Sequence, residues 1–166
     1  MIPDPTQIKP GSVLLYNTPG NLVDEIITRT GPASHVEFYE SDFTSLASRN
    51  GIGVGRYHFR TTGLIGVLVP IEPPADFVER FSDWFATVNG EGYDWRGLAG
   101  LVVDSVTQSQ AHWFCSAFVA KGCEMAGCPV FNPFWSPSLI TPSDFFKTPL
   151  LHWAWCDVAQ LYDKSS

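Results

Sequence analysis

The chain has 166 residues, enough for one domain with its own core and too few for two ordinary ones. Hydrophobic residues make up 45%, aromatics 14% and charged residues only 16%, which excludes a disordered chain. Ten Lys and Arg against 17 Asp and Glu leave a formal charge of -7 with no basic run, which argues against nucleic acid or anionic lipid held by electrostatics.

No run of about 18 apolar residues exists, so no membrane span and no stable membrane insertion are expected. The opening MIPDPTQIKPG has neither a basic start nor an apolar core, so a secretory signal is not expected and a cytoplasmic location is. There is no internal repeat and no low-complexity tract. The chain reads as a single domain over 1–166.

Residues 1–11 are Pro-rich and read as an extended lead-in. Residues 11–16 (GSVLLY) read as a short strand. Residues 22–30 (LVDEIITRT) carry apolar side chains at 22, 23, 26 and 27, a helical spacing that Gly31-Pro32 stops. Strand signals follow at 35–39, 43–48, 52–59 and 64–71, with a turn expected at Ser41-Asp42. Pro73-Pro74 closes this block. Residues 75–88 place apolar residues at 77, 78, 81, 84, 85 and 88, one face of a helix. A loop at 89–92 precedes a second, mostly apolar helix over 93–106. A third helix is predicted over 114–126, ended by Gly127. Residues 129–143 form a Pro- and aromatic-rich loop, 143–146 one helical turn, and 150–162 fit strand and helix equally. Helix, antiparallel strands, then helices is an α+β order.

Four cysteines stand at 115, 123, 128 and 156. The chain can build its own core and shows no export signal, so reduced thiols are expected rather than two disulfides. The spacings C-x7-C and C-x4-C, with His112 three residues before Cys115, lack the short ligand pairs of a zinc site. No metal and no cofactor are implied.

Cys115 opens a predicted helix, where the macrodipole and unpaired N–H groups favour a thiolate and can hold a developing oxyanion. Cys123 and Cys128 lie at the far end, where neither effect helps. The plain alternative is that Cys115 packs the helix start as a small apolar residue. His35 begins a strand, a rigid mount for a general base that titrates near neutrality. Taken alone, it reads more readily as a hydrogen-bonded, idle polar residue at a strand end. Glu37 shares its strand face and can orient it, or face solvent. Ser48 and Asn50 at the end of the next strand are geometric alternatives as the third member. Arg49 can bind a substrate carboxylate through its planar fork, or pair with a local acid. Tyr16 borders a cleft or plugs the core. His58, His112 and His152 compete as bases. Trp135, one of six tryptophans, can wall a pocket, and the other five read as core.

Taken together, these segments resemble the circularly permuted papain-like proteins of the NlpC superfamily. G-S-V-L-L-Y is similar to their opening strand. I-I-T-R-T with S-H-V-E-F-Y resembles their helix and histidine strand, and A-S-R-N-G-I-G-V the strand and turn after it. Y-D-W-R-G-L-A-G-L resembles the segment before the nucleophile. W-F-C-S-A-F-V-A-K-G-C-E-M-A-G resembles the cysteine helix, and I-T-P-S-D-F-F the closing motif. The likeness covers about residues 11–147, with histidine before cysteine as in the permuted order. It departs at Gly11-Ser12, where relatives commonly have Gly-Asp, and at Ser116-Ala117, where they have Ser-Glu. The strand after the histidine carries no carboxylate at the usual place.

The resemblance implies a small antiparallel sheet packed against the cysteine helix, with Cys115 as nucleophile and His35 as base. The expected function is a cysteine hydrolase cleaving an amide bond in a peptide or peptidoglycan-like substrate through an acyl-enzyme. Glu37 or Asn50 would orient His35. The Cys115 N–H would support the oxyanion, with Ser116, Tyr16, Ser48 and Arg49 as further oxyanion or substrate contacts. The alternatives are a lipid acyl hydrolase or acyltransferase of the same fold, and a non-catalytic binding or structural module. A phage or bacterial accessory protein fits a chain of this kind.

Overall fold

A computed structural model describes residues 4–18, 31–93, 112–132 and 134–157. Its main sheet is antiparallel throughout and has six strands: β1 (Val13–Tyr16), β2 (His35–Ser41), β3 (Thr44–Arg49), β4 (Gly53–His58), β5 (Leu64–Pro70) and β8 (Leu151–Cys156). They lie in the order β4-β3-β2-β1-β5-β8. Among the described residues two helices accompany it, α1 (Phe77–Val88) and α2 (Cys115–Met125). A two-stranded parallel pair joins β6 (Gly92–Tyr93) to β7 (His112–Trp113).

Strand β1 is four apolar residues in a row, all buried, as a strand covered on both faces requires. Alternation divides its side chains between two cores. Val13 and Leu15, with Val36, Phe38, Leu46 and Ile65, face the helices. Leu14 and Tyr16 face the other way, with Ile8, Tyr39, Phe59, Leu64 and Val67. Helix α1 buries Phe77, Phe81, Phe85 and Val88, one stripe at helical spacing, and each contributes about 1.5–3 kcal/mol by leaving water. Phe81 stacks on Phe38 of β2, with ring centroids 3.7 Å apart. Gly122 lets α2 approach α1: a Cβ there would lie 2.3 Å from Phe81 Cζ.

Most expected elements appear, with shifted ends. Ser41 belongs to β2, and the turn is Asp42–Phe43, both at positive φ (46° and 62°), the geometry that a two-residue hairpin needs. Helix α1 starts at Phe77, because Pro73-Pro74 and two turn residues come first. Tyr93 is in a strand, not at the start of a helix. The ambiguous 150–162 segment contains β8, which forms a sheet edge beyond residue 147, and the expected loop over 129–143 contains a 3-10 turn at Pro137–Leu139. The helices expected at 22–30 and 94–106 lie outside the described residues, as does 158–162. No helix among the described residues is long and apolar enough to cross a membrane.

Candidate active site

Helix α2 begins where Phe114, in extended backbone, turns into helix and its carbonyl accepts the first intrahelical bond from Phe118 N–H (2.9 Å). Cys115 is therefore the first helical residue, and its N–H and the two that follow have no partner inside the helix. No side chain caps this end. Two serines, one on β3 and one in the helix itself, fix the helix start. Ser48 donates to the Trp113 carbonyl (2.5 Å), and Ser116 donates to the Ile140 carbonyl. Cys115 and Ser116 have no exposed surface.

His35 is the first residue of β2. Its entry is clamped by Ser143, whose hydroxyl accepts from Ala33 N–H (3.0 Å) and donates to the Ala33 carbonyl (3.2 Å). Ser34 N–H then bonds the Tyr16 carbonyl (2.8 Å), which sets the strand against β1. So the 3-10 turn Pro142–Phe146 aims the histidine from more than a hundred residues away.

The Cys115 thiol stands beside the His35 imidazole, near enough for the two groups to interact electrostatically. His35 Nε2 lies 3.0 Å from Glu37 Oε1, which leaves Nδ1 as the ring nitrogen not held by the carboxylate. Glu37 is fully buried and held from every side. Arg49 Nε donates to Oε1 (2.9 Å), with Nη2 of the same guanidinium 2.8 Å from that oxygen but poorly aligned as a donor. Ser45 donates to Oε2 (2.5 Å). Arg49 also lies over the Tyr57 ring, 4.0 Å from its centroid. The chain Cys115–His35–Glu37–Arg49/Ser45 alternates sulfur, imidazole, carboxylate and cation.

The electrostatics follow from that alternation. Burial alone would lower the pKa of His35, but Cys115 and Glu37 together raise it to about 9. Burial would raise Glu37, but the His35 hydrogen bond and charge, then Arg49 and Ser45, hold it down at about 2. Glu37 thus remains a carboxylate, and its pull favours the protonated imidazole.

The remaining sequence candidates divide. Of the three possible orienting residues, Glu37 is the one placed against His35. Asn50 lies in the turn after β3. Ser48 alternates to the other side of β3 and serves the Trp113 carbonyl. Arg49 pairs with a local acid and not with a free cleft. Ser116 is used on Ile140. Tyr16 is buried opposite His35 in register, its ring 6.1 Å away, and its hydroxyl donates to the Arg60 carbonyl (3.2 Å). His58 is exposed beside Phe43, His152 is exposed on β8, and His112 lies in β7. Ser45 is the member that sequence reasoning missed. Its position four residues before Arg49 on one strand, hence on the same face, is the signal that finds it. Among the described residues, no group of three or more His, Cys, Asp or Glu could hold a metal ion. No protein-family model matches this chain, and no curated protein matches it.

Proposed function

We propose that this protein is a cysteine hydrolase of the permuted papain-like type, acting on an amide bond of a peptide or peptidoglycan-like substrate. One observation carries the proposal: a thiol at the first turn of a helix, beside an imidazole whose Nε2 is anchored by a buried carboxylate. In the proposed cycle, the Cys115 sulfur attacks the substrate carbonyl carbon, and the oxygen's new charge falls on the N–H groups at the start of α2. The protonated His35 gives its proton to the departing nitrogen, and the C–N bond breaks. Water then attacks the thioester, losing its proton to His35, and the carboxylic acid leaves with Cys115 restored. Glu37 holds the ring and stays ionised throughout; Arg49 and Ser45 hold Glu37.

Cys115 has no exposed surface, so attack on a substrate requires the cleft to open. That makes labelling kinetics the direct test. Iodoacetamide or an electrophilic activity probe should modify Cys115 faster than Cys123, and Cys115→Ala and His35→Ala should lose the labelling. Equal rates at the two cysteines, or unchanged labelling of Cys115→Ala, would sink the proposal in favour of a non-catalytic module.

A second reading, lipid acyl hydrolysis or transfer, has one observation in its favour. An apolar groove of about 710 Å³ is lined by Phe131, Phe134, Trp135, Pro149 and Leu150, among others. None of the residues lining it belongs to α2, so an acyl chain held there would have to be long for its ester to reach Cys115. Turnover of a long-chain acyl ester but not of a peptide amide would select this reading.

A further inference from the structure

We infer that Cys123 and Cys128 form a redox site, a thiol pair that a small-molecule disulfide converts reversibly into an internal disulfide stapling the end of α2. The helix stops in a way that brings the two cysteines together. Ala126 is the last half-helical residue, and Gly127 follows in the left-handed region at φ +80°. Gly127 N–H bonds the Glu124 carbonyl (3.0 Å), and Cys128 N–H reaches back to the Cys123 carbonyl (2.9 Å). Those two bonds define a Schellman ending, and in it the third-last helical residue touches the second residue past the cap. That contact is usually between two apolar side chains. Here both positions are cysteine.

The backbone bond fixes the spacing. With standard bond lengths on either side of a 2.9 Å hydrogen bond, the two Cα atoms are at most about 6.8 Å apart, and less because the segments are not collinear. Disulfides span Cα separations of about 4.4–6.8 Å. Both residues belong to one buried cluster, and the Cys123 thiol is within reach of the Cys128 charge. Both are free, and neither touches the chemistry proposed for Cys115.

Access sets the order of events. Cys123 has no exposed surface, whereas Cys128 retains 9%. The Cys128 thiolate attacks a sulfur of the incoming disulfide, forming one S–S bond and releasing one thiol. Cys123 then attacks the Cys128 sulfur and displaces the second thiol, which takes up the Cys123 proton. Two protein thiols are oxidised to a disulfide, and the reagent disulfide is reduced to two thiols. Burial pushes both thiols above the ordinary range, so the reaction is slow near neutrality and speeds up with rising pH.

The test uses the folded full chain with glutathione disulfide, an N-ethylmaleimide quench, and peptide mapping. The expected product lacks two hydrogens, carries a 123–128 link, melts at a higher temperature than the reduced form, and reverts with dithiothreitol. Its rate of formation should rise about tenfold per pH unit below the thiol pKa. Cys128→Ser, which changes the more exposed partner, should keep the native circular dichroism spectrum and form no link. Three results would overturn the inference: a glutathione adduct that persists on Cys128, links that involve Cys115 or Cys156 instead, or a 123–128 link that forms only in urea.

Discussion

The two ends of α2 carry the same functional group in opposite settings. At the start, Cys115 meets an imidazole backed by a buried carboxylate, an arginine and a serine. At the far end, Cys123 and Cys128 sit in the apolar core, their backbones joined by one hydrogen bond. The helix adds its own bias, since unpaired N–H groups at the start favour an anion and carbonyls at the end oppose one. The lesson is that burial does not decide cysteine chemistry. Cys115 and Cys123 are both without exposed surface, yet only the first has a proton acceptor beside it.

The largest expected effect comes from breaking the pair at the start. His35→Ala should lower turnover or probe labelling by about 10²–10⁴-fold, the usual worth of a positioned acid–base group. Cys115→Ala should abolish it, while Cys128→Ser leaves it unchanged. If Cys128→Ser fell as far as His35→Ala, the contrast between the two ends would be gone.

Next in size is the support behind the imidazole. Glu37→Gln keeps the shape and removes the charge. It leaves Arg49, with only 22% of its side chain exposed, facing a neutral amide. Breaking a buried pair in this way costs about 3–5 kcal/mol, measurable by urea unfolding. The histidine titration followed by NMR should also move down from about 9, because Glu37 is one of the charges holding it up. A His35 titration that does not move would assign Glu37 a purely structural role.

The same charges set a pH window. Glu37 titrates at about 2 in the fold against an ordinary 4.5, so its contribution is complete above 4.5 and is lost as pH falls toward 2. His35 titrates at about 9 against 6.5, so its contribution is complete below 6.5 and is lost as pH rises through 9. Stability should therefore plateau between 4.5 and 6.5 and decline on both sides. In Cys115→Ala the alkaline edge should shift down, since Cys115 is one of the groups that raise His35. An alkaline edge that stays at 9 in this variant would separate His35 from Cys115.

Part of this was legible in the residues. The alternation of H-V-E-F-Y put His35 and Glu37 on one face, and the position of Cys115 at a helix start singled it out among four cysteines. The α+β order and the strands between 35 and 71 followed from β-branched and aromatic runs bounded by turn residues. Three things did not follow. The choice of Glu37 over Asn50 and Ser48 depends on register between β2 and β3, which a single chain does not reveal. The clamp from Ser143 onto Ala33 joins positions 110 residues apart, beyond any local pattern. Residues 150–162 were ambiguous because Leu, Trp and Ala suit helix and strand alike, and β8 exists because β5 offered it an open edge.

The smallest effect tests the other end of α2. Gly127 occupies φ +80°, where a Cβ crowds its own carbonyl, so Gly127→Ala should cost about 1–2 kcal/mol. A Cβ there has room, 3.4 Å from Arg80 Nη1, so the loss is conformational and not a clash. The Schellman bonds should loosen together, and amide exchange at Cys128 should accelerate while exchange at Phe118, in the first turn, stays as it was. Formation of the 123–128 disulfide should slow, and labelling of Cys115 should not change. A drop in Cys115 reactivity in Gly127→Ala would mean that strain travels the whole length of α2, and its two ends would then have to be treated as one site.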